Sequence, residues 1–291
     1  MKEQVYVLEN IEDFELKHIF ECGQCFRWNE EEDSSYTGIV GSNVLNVKKE
    51  YNNIIIKGYC NDNIQDVCNK YFDLETDYKQ IKYQLSKIDD NMKTSIEYGR
   101  GIRILKQDPW EALISFIISA NNNIPRIKGI IERISKKYGK EIKWNNKEYY
   151  TFPTPEELSK ASVKDLRLLG LGFRDSRVFE TTKMIKNKEI NLEKLEHIED
   201  INALREELLK FPGVGPKVAD CIMLFSMKKY EVFPIDVWVK RVMTELYLDE
   251  ITEENAKNIS NKKILELAEN KFGKLAGLAQ QYLFYWRREL K

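Results

Sequence analysis

The stretch KFPGVGPKVADCI, from Lys210 to Ile222, constrains the fold more than any other part of the chain. It joins the helix-forming run NALREELLKF to the apolar run PKVADCIMLFSM, which predicts a helix–hairpin–helix over about residues 202–227. Gly213 and Gly215 allow a left-handed backbone and a close approach of another backbone. The amides of such a turn and of the next helix N-terminus, as far as Val218, favour a DNA phosphate. An ordinary turn between two helices is the alternative.

Lys217 lies just inside the second helix, where the positive end of the helix dipole disfavours a cation. A lysine that is kept neutral is a nucleophile, and its amine can form a Schiff base with a sugar carbon. The alternative is a surface lysine at the top of the helix. Position alone does not decide between the two.

The segment VFPID places Asp236 at a helix N-cap, where backbone amides keep a carboxylate ionised. An aspartate N-cap is common and is weak evidence by itself. A fixed anion that faces Lys217, however, could stabilise an oxocarbenium-like sugar and assist proton transfer. The turn, the lysine and the aspartate together indicate chemistry at a sugar carbon.

Composition describes a globular chain with one basic segment. Of 291 residues, 42% are apolar and 32% are charged, and the net charge is −1, so the total gives no sign of nucleic acid. Residues 122–140, in contrast, contain six lysines and arginines and one glutamate. No apolar run reaches the roughly 18 residues that span a membrane, so we expect no membrane partner.

Cysteine and histidine usage predicts a cytoplasmic protein without a metal or other cofactor. The N-terminal sequence is acidic and mixed, unlike a signal peptide, and five cysteines are an odd number, which favours a reducing compartment. His18 and His197 have no metal-ligand spacing. A zinc site is the less favoured alternative, and its candidate ligands are Cys22, Cys25, Cys60 and Cys68.

The hydrophobic pattern predicts an α+β protein with two domains. Residues 1–100 should form an antiparallel β domain with short helices, since SYTGIVGSNVLNVKKEYNNIIIKGYC alternates like three strands with tight turns. Residues 101–291 should be mostly helical. There we predict a helix capped by Asp108, a helix started by Pro125, a helix ended by Gly170 and Gly172, and a last helix over about residues 278–289.

Six segments together resemble the helix–hairpin–helix DNA glycosylases with a Gly/Pro-rich loop and a catalytic aspartate, and most of all the 8-oxoguanine DNA glycosylases of the eukaryotic type. The segments cover nearly the whole chain: CGQCFRW, LKQDPWEALISFIISANNNIPRI, LLGLGFR, FPGVGPKVADCI, VFPIDVWV and AGLAQQYLF. The resemblance implies a monomer that acts on double-stranded DNA containing oxidised guanine. It implies base excision and then strand cleavage by β-elimination, with Lys217 as the Schiff-base nucleophile and Asp236 as the catalytic carboxylate.

The resemblance also implies a base pocket of Gly23, Cys221, Gln280 and Phe284. Oxidised guanine carries a hydrogen on N7, so a carbonyl at Gly23 would accept a hydrogen bond from it, whereas guanine presents a lone pair. That mismatch costs about 1–3 kcal/mol. Gln280 would read the Watson–Crick edge, while Phe284 and Cys221 would cover the two faces of the base. Without the resemblance, Gly23 would be a loop glycine, and Phe284 and Cys221 would be core residues.

On the opposite strand, the resemblance implies that Asn121 fills the gap left by the flipped base, that Arg126 and Arg174 contact the orphaned cytosine, and that Phe173 is an aromatic wedge. In the family the wedge is usually a tyrosine. Two further positions depart from the family pattern. Trp238 stands where a phosphate-contacting histidine is usual, and Arg287 stands where an aspartate is usual, which leaves phosphate contact by Trp238 in doubt.

Related glycosylases and other classes of protein remain as alternatives. Glycosylases with an iron–sulfur cluster carry four cysteines after this region, whereas the last cysteine here is Cys221. Glycosylases that excise alkylated bases keep the aspartate but lack the lysine. A non-catalytic helix–hairpin–helix DNA-binding protein would need neither Lys217 nor Asp236. A helical interaction protein would show no salt-dependent affinity for DNA.

Overall fold

The computed structural model describes residues 1–248 and 259–290 of the chain. The predicted domain 101–291 therefore contains residues outside the described part. The fold is α+β, as predicted, with an N-terminal antiparallel sheet followed by helices. Within the described residues, no helix is both long and apolar enough to cross a lipid bilayer.

The sheet has five antiparallel strands in the order β1-β5-β4-β3-β2. Their bounds are β1 Lys2–Leu8, β2 Trp28–Glu30, β3 Tyr36–Val40, β4 Asn43–Glu50 and β5 Asn53–Cys60. Strands β3 to β5 confirm the three predicted strands. The edge strands β1 and β2 were not predicted, because β2 has only three residues and β1 is apolar on both faces: Val5 and Val7 are exposed, while Tyr6 and Leu8 pack on the core.

Trp28 organises the core beneath the sheet. Its ring stacks on Phe20 at 4.1 Å between centroids, and its Nε1 donates to the Tyr71 hydroxyl at 2.8 Å. A Cβ atom on Gly38 would lie 2.4 Å from Trp28 Cδ2, so the facing strand needs a glycine for the indole to pack there. The loop between the first helix and β2 is thereby held against the sheet.

The remainder of the described chain is mostly helical. Before residue 101 the helices are Leu16–Phe20, Ile64–Tyr71, Tyr78–Ser86 and Asp90–Tyr98. The later helices are Pro109–Ser119, Ile124–Tyr138, Pro155–Leu158, Val163–Leu168, Asp175–Lys186, Leu192–Glu196, Ile201–Leu209, Pro216–Met227, Val237–Tyr247, Asn261–Phe272 and Ala276–Glu289. Short 3-10 turns cover Gly172–Arg174 and Gly273–Leu275.

Helix ends follow the predicted signals with two corrections. Asp108 caps its helix by accepting from the Glu111 amide at 2.9 Å, as predicted. The next helix begins at Ile124 with Asn123 as the cap, one residue before Pro125. The prediction that Gly172 ends a helix is wrong: that helix ends at Leu168, and Gly172, with φ +60°, begins the 3-10 turn.

A hairpin interrupts the helical part and contacts the sheet. Its strands are β6 Glu141–Trp144 and β7 Lys147–Tyr150, which the prediction of a mostly helical part after residue 101 did not include. Trp144 and Ile142 form a small core with Ile39 and Val44, and Trp144 Nε1 donates to Glu3 at 3.2 Å. The hairpin thus binds the helical part to the sheet.

The two large cores interleave along the chain. Cys22 and Phe26 pack in the core of the helical part, whereas Leu105 packs beneath the sheet. The predicted domain boundary near residue 100 therefore stays a prediction.

Candidate active site and nucleic-acid interface

The hairpin predicted around Gly213 joins the helices Ile201–Leu209 and Pro216–Met227. The Val214 amide donates to the Phe211 carbonyl at 3.0 Å, and Gly213 has φ +86°, a left-handed conformation that glycine adopts without strain. A Cβ atom on Gly213 would also lie 2.6 Å from Arg177 Cδ. Gly215 is the N-cap of the second helix, so the amides of the first turn face outward beside the hairpin.

The two helices of the hairpin are held together by a buried ion pair. Arg205 Nε donates to Asp220 Oδ1 at 2.9 Å, and the Asp220 side chain is buried. Burial raises the pKa of this carboxyl group, while the charge of Arg205 opposes that shift. The pair fixes the helix that carries Lys217 relative to the helix before it.

Lys217 lies in the first turn of its helix and is half-buried. Its Nζ lies 5.5 Å from the centroid of the Phe116 ring, and Cys221 follows one turn later on the same helix. Phe116 stacks on Phe225 at 5.6 Å between centroids, which holds the helix Pro109–Ser119 against the lysine helix. Two packed helices therefore limit the orientations open to the amine.

Asp236 caps the helix Val237–Tyr247, as predicted: its Oδ1 accepts from the Val239 amide at 2.8 Å. Burial raises the pKa of the Cys221 thiol to about 11, the charge of Lys217 opposes this shift, and the charge of Asp236 adds to it. Lys217 and Asp236, which belong to two different helices, thus both act electrostatically on the Cys221 thiol. The predicted nucleophile and the predicted carboxylate share this neighbour.

Gly23 and Phe284 are in contact, as a shared base pocket requires. Gly23 has φ +85°, and a Cβ atom on it would lie 3.4 Å from Phe284 Cε1. The neighbouring Cys22 carbonyl accepts from Gln281 Nε2 at 2.7 Å, which ties this loop to the C-terminal helix. Gln280, one turn before Phe284, is buried, and its Oε1 has no hydrogen-bond partner among residues 1–248 and 259–290.

Cys221 lies one turn after Lys217 on the same helix. It is buried on the helix Pro216–Met227. Of the four predicted pocket residues, the structure therefore places Gly23, Gln280 and Phe284 along one loop and one helix, and Cys221 beside the predicted nucleophile.

The predicted opposite-strand residues lie on two adjacent loops. Asn121 is exposed and left-handed, with φ +51°. Arg174 is 1% exposed, and its Nε and Nη2 donate to the carbonyls of Ala120 at 2.9 Å and Asn121 at 2.7 Å. Phe173 is 52% exposed, with the Arg174 guanidinium 4.2 Å from its ring centroid. In this structure the donors of Arg174 hold the Asn121 loop rather than face solvent.

Sequence reasoning missed Arg177, which lies between the wedge and the hairpin. Its guanidinium lies 5.2 Å from the Phe173 ring centroid, and its side chain packs on Gly213. Burial lowers the pKa of Arg174, and the charges of Arg126 and Arg177 lower it further. The four-residue spacing from Phe173 to Arg177 could have predicted this contact. Arg126, which is exposed, donates to the Gly170 carbonyl at 3.4 Å, so three arginines make this face positive.

The two departures from the family pattern lie near one another in the fold. Trp238 has the Arg241 guanidinium 5.2 Å from its ring centroid. Arg287 forms an ion pair with Glu245, on the helix that also carries Trp238. An arginine–glutamate pair therefore joins the last helix to the helix capped by Asp236.

The described part of the chain contains no cluster of three histidine, cysteine or acidic side chains arranged for a metal ion. All five cysteines are free and buried. Cys22 belongs to the helical core, whereas Cys25, Cys60 and Cys68 belong to the core beneath the sheet. The zinc alternative therefore has no support in this geometry.

Two family models match the chain. Residues 6–113 match the model of the 8-oxoguanine DNA glycosylase N-terminal domain. Residues 114–278 match the model of the HhH-GPD superfamily base excision DNA repair protein. Together these matches include the loop of Gly23, the hairpin and Asp236.

Individual proteins agree with these matches. The chain is 34% identical over 309 residues to the N-glycosylase/DNA lyase of Saccharomyces cerevisiae, which covers 92% of this chain and 82% of that protein. It is 33% identical to the probable N-glycosylase/DNA lyase of Methanothermobacter thermautotrophicus, over 73% of this chain and 71% of that protein. The crystal structure of Clostridium acetobutylicum 8-oxoguanine glycosylase/lyase, in complex with dsDNA containing cytosine opposite to 8-oxoG, superposes with a TM-score of 0.92 at 46% identity, covering 99% and 97% of the two chains.

Proposed function

The chain belongs to the 8-oxoguanine DNA glycosylases of the HhH-GPD superfamily, and from this membership we propose how its residues excise the oxidised base and cleave the DNA strand. It is an N-glycosylase and DNA lyase that acts on double-stranded DNA. The observation that carries the proposed mechanism is the position of Lys217 in the first helical turn after the hairpin, where Lys217 and the N-cap Asp236 both act on the Cys221 thiol.

Lys217 is the nucleophile. Its deprotonated amine forms a bond to C1′ of the flipped nucleotide while the C1′–N9 bond breaks, and the electron pair of that bond leaves with the base, which takes up a proton that the bonded nitrogen loses. The C1′–O4′ bond then breaks, O4′ takes up the second proton of that nitrogen, and the opened sugar carries an imine between Nζ and C1′. Loss of a C2′ proton expels the 3′ phosphate oxygen together with the electron pair of the C3′–O bond, and the strand is cut.

Asp236 stabilises the positive charge that develops on the sugar as the base departs. Its fixed position at a helix N-cap supports this role, because the carboxylate is oriented before the substrate arrives. Cys221, whose thiol pKa burial raises to about 11, lies one turn after Lys217 on the same helix and lines the base pocket.

The flipped base lies between the loop of Gly23 and the C-terminal helix. The Gly23 carbonyl accepts from N7–H of the oxidised base, Phe284 stacks on its face and Gln280 bonds its Watson–Crick edge. The contact between Gly23 and Phe284 and the unpaired Oε1 of Gln280 support this placement. Gly213, Gly215 and Val218 hold the DNA phosphate through backbone amides, and Trp238 is a further phosphate contact.

The loops of Asn121 and Phe173 enter the duplex where the base has left. Asn121 fills the gap, and Phe173 wedges the stack. Arg126 bonds the orphaned cytosine. Arg174 also bonds this cytosine, after it has released the backbone carbonyls that it holds in this structure. The positive face formed by Arg126, Arg174 and Arg177 supports this role. We further propose that the enzyme acts as a monomer in the cytoplasm, on chromosomal DNA, since all proposed site residues come from one chain.

The test is borohydride trapping on a duplex with 8-oxoguanine opposite cytosine, with the wild type and Lys217→Gln. We expect a covalent complex with the wild type and none with the variant, because glutamine cannot form a reducible imine. Lys210→Gln is the matched control, since Lys210 is exposed on the same hairpin and should trap like the wild type.

Two other outcomes have clear meanings. Excision without trapping by the wild type would show a monofunctional glycosylase and remove the nucleophilic role of Lys217. Binding to the duplex without excision or trapping would favour the non-catalytic DNA-binding alternative.

A further inference from the structure

Arg288 reaches from the C-terminal helix onto the loop that carries Gly23. It lies four residues after Phe284, so both side chains project from the same face of the helix. The carbon of its guanidinium is 5.3 Å from the centroid of the Phe284 ring, and its Nη2 donates to the Glu21 carbonyl. The side chain is 17% exposed.

The guanidinium also borders the space in front of Gly23. A Cβ atom on Gly23 would lie 3.3 Å from Arg288 Nη1 and 3.4 Å from Phe284 Cε1. Arg288 Nη1 therefore lies next to both groups that carry the proposed base recognition, which are the Gly23 backbone and the Phe284 ring.

That nitrogen has no partner. Nη1 is shielded from solvent and has no hydrogen-bond acceptor among residues 1–248 and 259–290, whereas Nε and Nη2 bond Glu289 and the Glu21 carbonyl. Buried polar groups are nearly always hydrogen-bonded in folded proteins, so this N–H needs an acceptor, and its place beside Gly23 and Phe284 makes a ligand of the pocket a suitable one. A cation also suits a helix C-terminus, but that accounts for the charge and leaves the N–H unexplained.

The oxidised base offers such an acceptor. If its N7–H faces the Gly23 carbonyl, the oxygens O8 and O6 lie on either side of N7, and a donor beside Gly23 meets one of them. We propose that Arg288 is a specificity-determining residue of the base pocket, which donates from Nη1 to a carbonyl oxygen flanking N7 of the oxidised guanine. This inference rests on the proposed function. The charge of Arg288 also stabilises the negative charge that the base acquires when the C1′–N9 bond breaks.

The experiment compares two substrates under single-turnover conditions. One duplex carries 8-oxoguanine opposite cytosine, and the other carries a preformed abasic site, which has no base for Arg288 to contact. For Arg288→Met we expect base excision to fall about 10-fold to 100-fold, the effect of losing one charged hydrogen bond. Strand cleavage at the abasic site should change less than about 2-fold, because this step makes no contact with a base.

Two further variants sharpen the test. Arg288→Lys keeps a cation with a different reach and should recover part of the excision rate. Arg287→Met removes the neighbouring arginine, which pairs with Glu245, and should leave the ratio of excision to abasic cleavage as in the wild type.

Equal losses of rate on both duplexes for Arg288→Met would overturn the inference, because Arg288 would then only stabilise the helix. No loss of rate on either duplex would overturn it as well, because Arg288 would then have no role in the reaction. A wild type that cleaves neither duplex would instead contradict the proposed function, and the inference would fail with it. The activity of the wild type on the two duplexes distinguishes a failure of the proposed function from a failure of the inference about Arg288.

Discussion

At the scale of single residues, Gly23 shows how one backbone conformation makes a pocket possible. Its φ of +85° is strained for any other residue, and a side chain there would press on Phe284 and Arg288. The loop can therefore bring a carbonyl close to a planar ligand without a side chain in between. In the proposed function, this glycine recognises the base through its backbone, and the side chains around it orient the base.

Asp236 carries a prediction at this scale, because one residue serves as both N-cap and proposed catalytic carboxylate. Asparagine is as good an N-cap as aspartate, so Asp236→Asn should change the free energy of unfolding by only about a few tenths of a kcal/mol. Excision should fall about 10²-fold to 10³-fold, because the charge is lost. Single-turnover excision and urea denaturation measure the two effects.

Asp236→Ala is the matched comparison, since alanine removes both the charge and the cap. It should lose the same activity and, in addition, about 1 kcal/mol of stability. Full excision activity in Asp236→Asn would refute the electrostatic role.

The sequence predicts residues like Lys217 and Asp236 better than residues like Arg288. Both belong to short local patterns, a turn before a helix and an aspartate before a helix, and local patterns are visible in a sequence. Arg288 and Arg177 owe their places to the loops that face them, 265 and 36 residues away at Gly23 and Gly213. Such long-range contacts depend on how the elements pack, which the helical spacing of an arginine alone does not give.

At the scale of elements, the hairpin of β6 and β7 is the piece that joins the helical part to the sheet. Trp144 packs on Ile39 and Val44 and bonds Glu3, while the Tyr150 carbonyl accepts from the buried Arg27. This segment has no helical pattern, but the Asn145-Asn146 turn, with both residues at positive φ, is a hairpin pattern that could have been recognised. The helical appearance of the flanking segments hid it.

Trp144→Ala tests the hairpin. Loss of a buried tryptophan should lower the free energy of unfolding by about 3–5 kcal/mol, because both the buried area and the close packing are lost. Tyr51→Ala is the control, since Tyr51 is 98% exposed, and it should change stability by less than about 0.5 kcal/mol. Chemical denaturation of both variants measures these changes. Equal denaturation midpoints for the two variants would mean that the hairpin of β6 and β7 does not stabilise the fold.

At the scale of the whole molecule, the two cores cannot be separated by one cut in the chain. Cys22 packs with the helices and Cys25, three residues later, packs beneath the sheet. The α+β class and most helices follow from hydrophobic periodicity. The way in which the chain passes between the two cores does not, because periodicity predicts which face of an element is buried but not which element packs against that face. Because Cys22 and Cys25 pack in different cores, the Gly23 loop between them is anchored in both the helical core and the core beneath the sheet.

The burial of every thiol leads to a prediction for the intact protein. Burial raises the pKa of Cys22, Cys60 and Cys221 to about 11, and raises that of Cys25 and Cys68 as well. Since the thiolate is the reactive form, none of the five should react rapidly with a disulfide reagent at pH 7.5 in the native state. All five should react after unfolding in guanidinium chloride, and a fast native phase would contradict the described packing.

The bonds of Arg174 have a mechanical consequence. Its guanidinium fastens the carbonyls of Ala120 and Asn121 to the turn that carries Phe173, so the proposed gap filler and the proposed wedge are coupled in this structure. In the proposed mechanism Arg174 gives up these bonds to reach the orphaned cytosine, so the two loops stay coupled only until that base is exposed.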